Sequence, residues 1–221
     1  MKPADMDRPG VWQVLFPRAL ALMDHLEAQA PGLVWTFSGG TVLMLRISHR
    51  QSKDIDLFVP DPQCLGYVNP RLSEVAEQVS AEYEEAAEFI KLFLPAGEID
   101  IVAGGPLTSP YFEVAHYGKR EVRVETCAEI IAKKLWHRGD RAKARDLYDL
   151  CAVAEAEPAA MEAAAPWFRR HGAAFLAGLE QRADIARLEF DAIDAIGKRL
   201  SFDRALQVAR ELIEPVLGAG G

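Results

Sequence analysis

The feature that most constrains this chain is a change of hydrophobic period near residue 125. Before it, short β-prone runs alternate with turns; from Thr126 onward apolar residues recur at helical spacing. The runs 33–37, 54–59, 89–94 and 99–102 read as strands, the last two joined by a turn at Pro95-Ala96-Gly97, and 111–124 as a hairpin around Tyr117-Gly118. Helices are expected over 11–30, stopped by Pro31-Gly32, over 41–48 and over 70–85. Past Thr126 they are expected over 128–138, 144–156, 159–172, 184–200 and 203–214, with Pro215 closing the last. The pattern predicts an α/β (α+β) chain, with a mixed sheet flanked by helices over 1–125 followed by a helical domain over 126–221.

Of 221 residues, 50% are hydrophobic and 26% charged, which is enough apolar material for a core and excludes disordered and fibrous classes. Residues 28–45 carry no formal charge, yet Pro31, Gly32, Gly39 and Gly40 interrupt them, so no membrane span is expected. The polar start of the chain has no apolar run behind it, and a cytoplasmic location is expected. Cys64, Cys127 and Cys151 are far apart and odd in number, which predicts buried thiols and neither disulfides nor a zinc site. The net charge of −8 excludes a uniformly basic surface. The charges are segregated, however: residues 117–145 hold nine basic and four acidic side chains, so a local polyanion site stays open.

Residues 37–58 hold the densest chemistry. Ser38-Gly39-Gly40-Thr41 is a small-residue turn leading into a helix, and such a turn lets a phosphate approach the backbone and the free N–H groups of the helix start. Asp54 and Asp56 follow on a strand, and period-two alternation puts both carboxylates on one face. Their repulsion calls for a hard cation such as Mg²⁺; two such ions about 3.5–4 Å apart would clamp both oxygens of a phosphoryl transfer. Asp100 on a neighbouring strand is the candidate third carboxylate, as second-metal ligand or general base, with Glu98 competing on the same face. His49, Arg50 and Lys53 could contact phosphate from the loop before the pair. Trp136 and Trp167 read as core.

The ordered set Gly-Gly-Thr-x-Leu, then His-Arg-x-Ser-x-Asp-Ile-Asp-Leu-Phe, then a strand Asp, resembles the polymerase-β-like nucleotidyltransferases and, within them, the AbiEii/AbiGii toxin family. The helix carrying Lys134 and Arg138 and the segment Arg145-Asp146-Leu-Tyr-Asp149-Leu are similar to that family's later motifs; the resemblance spans roughly residues 33–150. It implies a nucleotidyltransferase-type sheet that transfers NMP from an NTP to an acceptor hydroxyl and releases pyrophosphate. Metal would be held by Asp54, Asp56 and Asp100, and nucleotide by Ser38, Gly39, Gly40, Thr41, Lys134 and Arg138. Arg145, Asp146 and Asp149 would form a second motif, with Asp146 alternatively paired to Arg145 or Arg138 as structural glue. The resemblance further implies two Mg²⁺ ions, GTP as a candidate NTP, RNA or tRNA as acceptor, and a toxin neutralised by a cognate antitoxin protein. Two other readings stand beside it: a small-molecule, aminoglycoside-type nucleotidyltransferase, and a catalytically silent nucleotide- or protein-binding module.

Overall fold

The computed structural model describes residues 2–197 and 199–218. Among them seven strands form one mixed sheet: β1 (Thr36–Ser38), β2 (Ile55–Val59), β3 (Tyr83–Ala86), β4 (Phe89–Leu94), β5 (Gly97–Ala103), β6 (Phe112–Tyr117) and β7 (Arg120–Glu125). Their order is β3-β4-β5-β2-β1-β7-β6. β1 and β2 run antiparallel at the centre, and each has a parallel outer neighbour, β7 and β5. β2 and β5 are bound in register, Asp56 opposite Asp100. Along β2 the side chains of Ile55, Leu57 and Val59 are fully buried while Asp56 and Phe58 are partly exposed, as the alternation predicts.

α1 (Trp12–Gln29) packs Leu15, Phe16, Ala19, Leu22, Met23 and Leu26 on one side of this sheet at helical spacing. α2 (Gly39–Ile47) springs directly from β1. It is buried nearly throughout, between β1, β2 and the helices that follow β7. Those helices are α4 (Cys127–Arg138), α5 (Ala144–Ala156), α6 (Pro158–Ala164), α7 (Gly172–Gln181), α8 (Ala183–Asp191) and α9 (Phe202–Gly218). One apolar cluster runs from Met6 to Ile213, so sheet and helices share a core. None of the described helices is long and apolar enough to cross a membrane.

Several elements depart from the sequence expectation. β1 is confined to Thr36–Ser38. The helix expected over 70–85 is reduced to α3 (Glu74–Val79), because Tyr83–Ala86 pairs instead with β4 as an edge strand. Edge pairing here overrides a Glu-rich composition that disfavours strands. The helix expected over 159–172 is divided at Pro166, which lacks an N–H; α6 ends there and a 3-10 turn, Ala165–Arg169, follows. The apolar triple Phe175, Leu176 and Leu179 belongs to α7, a helix that the sequence reading passed over. α8 stops at Asp191, short of the expected 200, since the chain beyond it binds the 49–51 loop through Gln51 N–H to Asp194 O and Ile196 N–H to His49 O. Pro215 lies inside α9 and does not close it: the carbonyl it leaves free belongs to Glu211, which faces solvent.

Candidate active site

The turn between β1 and α2 is fixed by steric need. Gly39 has φ +79°, and a Cβ there would stand 1.8 Å from Oδ2 of Asp56; a Cβ on Gly40 would stand 2.5 Å from a terminal guanidinium nitrogen of Arg50. Only glycines let the Asp56 carboxylate and the Arg50 guanidinium close on the start of α2. Ser38 precedes the helix in extended conformation, and its side chain does not cap it. Its hydroxyl instead donates to Oε2 of Glu125 at 2.6 Å, beside Thr36, which donates to Oε1 at 2.7 Å. The Thr41 hydroxyl is fully buried and donates to the carbonyl of Asp54 at 2.6 Å. Neither hydroxyl of the predicted phosphate turn is free for a ligand; what the turn can offer a phosphate is backbone.

Asp56 and Asp100 stand in register on β2 and β5, and Asp54 lies just before β2. Asp54 accepts from the Glu98 backbone N–H at 3.1 Å. Burial pushes the Asp56 carboxyl up, against the lowering field of Arg138 and Lys134, and Asp54 adds to the rise. Burial and then Asp56 push Asp100 up to about 7, opposed by Lys91. The ammonium of Lys91, on β4 in register with Asp100, lies 3.5 Å from Oδ2 of Asp100 and 3.1 Å from Oε2 of Glu98. Glu98, the rival for the third position, is thus tied to Lys91. Oδ1 of Asp100 is buried and has no hydrogen-bond partner among the described residues.

As the side chains stand, no three His, Cys, Asp or Glu groups among the described residues converge closely enough to share one ion. The donor set nevertheless fits a hard cation. Asp56 and Asp100 face each other across adjacent strands, each raises the other's charge cost or is raised by a neighbouring acid, and one buried carboxylate oxygen is unsatisfied.

Behind the acids lies a buried charge network that joins three segments distant in sequence. Asp149, on α5, receives the Arg50 guanidinium through Nε at 2.6 Å and a terminal nitrogen at 2.9 Å, His49 Nε2 at 2.7 Å and Lys134 Nζ at 3.0 Å. Asp146 receives Lys134 at 2.6 Å and Arg138 at 2.8 Å. These cations hold both acids below the usual carboxylate range despite burial, Asp149 well below it. Of the two adjacent lysines, Lys134 thus turns to α5, while Lys133 bonds Glu125 and Glu129 and lies over the Phe58 ring at 3.6 Å. Arg138 is partly exposed and pairs with Asp146, as the structural alternative anticipated.

A cleft of about 1080 Å³ opens beside this network, between the 50–54 segment, the 140–145 loop, α7 and the end of α8. Of the three predicted acids only Asp54 lines it, together with Arg50, Lys53, Lys143 and Arg145. Lys134 and Arg138 do not. Trp136 and Trp167 are half-buried and pack edge to face at 5.2 Å on the far side of α4, with the Arg170 guanidinium over Trp136 at 4.7 Å. Sequence reading missed Lys91 and Glu125. The first was within reach, since a hairpin turning at Pro95-Ala96-Gly97 sets Lys91 opposite Asp100; the second carries no local signal.

Residues 21–213 match the family model described as nucleotidyl transferase AbiEii toxin, of type IV toxin–antitoxin systems. No curated protein matches the chain. Among solved structures, the chain is similar to the antibiotic-resistance factor ANT(2'')-Ia, with 13% identity over 78% of this chain and 95% of that one and a TM-score of 0.49. It is also similar to JHP933 from Helicobacter pylori, with 15% identity over 94% and 92% and a TM-score of 0.47.

Proposed function

We propose that this chain, which belongs to the AbiEii family of nucleotidyl transferase toxins, transfers a nucleoside monophosphate from an NTP to an acceptor hydroxyl in a reaction that depends on a divalent cation. The observation that carries the reading is the register of Asp56 against Asp100, with Asp54 two residues away, at the mouth of a glycine turn that only Gly39 and Gly40 can form. Asp54, Asp56 and Asp100 would hold the cation, Mg²⁺ being the choice for hard oxygen donors. When bound, it supplies neutralisation of the charge that builds on the phosphoryl oxygens.

The residues of the chain do the rest. The backbone at the start of α2 receives a phosphate oxygen, and the Arg50–Asp149 pair locks that turn from behind. The acceptor oxygen bonds to the α-phosphorus, the bond from that phosphorus to the bridging oxygen breaks, and pyrophosphate leaves with the bonding electrons. Asp100 would serve as a ligand of the cation or, where it stays free of it, as the base that takes the acceptor's proton. GTP heads the donors to be tried. RNA, tRNA first, is the acceptor in this reading, which the family's toxin character supports, and a cognate antitoxin protein is the partner that would silence it.

The test is pyrophosphate release. Purified protein with Mg²⁺ and total RNA should release pyrophosphate from at least one NTP, and Asp56→Asn should reduce the rate by roughly a thousandfold, as for loss of a group acting in the transition state. Equal release by the folded variant would sink the assignment of the acids.

A further inference from the structure

We propose that Lys53, Lys143 and Arg145, on the wall of the cleft, form the subsite for the β- and γ-phosphates of the NTP. The inference rests on the nucleotidyltransferase reading and assigns the triphosphate to residues other than Lys134 and Arg138. Those two cannot serve without cost: Lys134 is bonded to Asp146 and Asp149, and Arg138 to Asp146, within a buried network. Drawing either onto a phosphate would break an ion pair of that network, and neither residue lines the cleft.

The open bases lie elsewhere. Lys53, Lys143 and Arg145 all line the cleft, all are exposed, and none makes an ion pair with another described residue. Arg50, also on the wall, is spent on Asp149, and Arg182 donates to the Ala142 carbonyl at 2.6 Å. Lys53 precedes Asp54 in the chain, so a phosphate between Lys53 and the 143–145 segment would sit next to Asp54, which also lines the cleft. The cleft volume of about 1080 Å³ lies just above the span of ordinary small-ligand sites, roughly 300–1,000 Å³, and leaves room for a nucleotide. Burial first, and after it the fields of Arg138, Arg145 and Lys91, push the Lys143 amine below the usual range, against Asp146. A polyphosphate anion would relieve that field.

The experiment is calorimetric titration of the full chain, with Mg²⁺, by an NTP analogue whose α,β bridge cannot be cleaved, by tripolyphosphate and by the matching NMP. The expected result is that Lys143→Ala/Arg145→Ala lowers the affinity for the NTP analogue and for tripolyphosphate at least about a hundredfold, roughly tenfold per lost charged contact. NMP affinity should stay within about twofold of the parent, and Lys53→Ala should show about half the effect on a logarithmic scale. Arg145→Lys, which keeps the charge, should recover part of the loss, and an unchanged melting temperature shows that the fold is intact. Undiminished NTP affinity in the folded double variant would overturn the assignment while leaving the transferase reading standing. So would loss of RNA affinity alone, which would give the wall to the acceptor. A parent protein that binds no NTP would defeat both this subsite and the transferase reading.

Discussion

At Gly39 the backbone is left-handed and Oδ2 of Asp56 fills the space where a methyl would go, so Gly39→Ala meets both a strained φ and a clash. The backbone term alone is about 1–3 kcal/mol, and a loss of at least that much unfolding free energy, read as a lower urea midpoint, is expected; an unchanged midpoint would contradict the geometry of the turn. Asp100 makes a different prediction. Its folded-state value, about 7, lies above the ordinary one, so its favourable contribution is complete below about pH 4 and is lost as pH rises to about 7. In metal-free protein Asp100→Asn should therefore be more stable than the parent at pH 8, by on the order of 2 kcal/mol once the lost Lys91 contact is set against it. The gap should close towards pH 4. Melting curves across that range check it, and a variant less stable at pH 8 would show that Asp100 is not held under strain.

Where elements meet, the Arg50–Asp149–Lys134–Asp146–Arg138 network ties the loop before β2 to α4 and α5. Asp149→Ala would leave the buried Arg50 guanidinium without its ion-pair partner and His49 without its acceptor, and should cost about 3–5 kcal/mol, whereas exposed Arg145→Ala should stay within about 0.5 kcal/mol. Denaturation midpoints decide it; equal effects would mean that the network carries no stability. Since Asp146 and Asp149 are held below the usual carboxylate range, their contribution is present above about pH 4 and is lost as pH falls further. This scale also shows what the sequence could tell. β2, α2, the β4–β5 hairpin and α5 were legible, because alternation, the glycine turn and helical spacing are local signals. Position in the sheet was not: that Glu125 would be the buried acceptor for Thr36, Ser38 and Lys133 depends on β7 lying beside β1, a pairing across some ninety residues. Edge strand β3 and the stop of α8 were hidden for the same reason, being set by partners and not by composition.

For the whole molecule, sheet and helical segments share one core, and the three thiols lie buried within it or at its margin. Burial pushes Cys127 and Cys151 each up to about 12. A thiol reagent at pH 8 should therefore leave both unmodified until the chain unfolds, and then find all three cysteines; native-state modification of either would mean that the core opens locally. Asp56 and Asp100 stand on the sheet, and Lys143 and Arg145 of the cleft at the start of α5, so the chemistry proposed here needs both parts of the chain at once. Transfer of label tests that claim most directly. The protein is incubated with Mg²⁺, total cellular RNA and each α-³²P-labelled NTP in turn, beside an Asp54→Ala/Asp56→Ala control of matched stability, and the products are resolved on a gel. A labelled RNA band that vanishes in the control is the predicted result; label that persists in the control, or that appears on no acceptor with any NTP, would contradict the account.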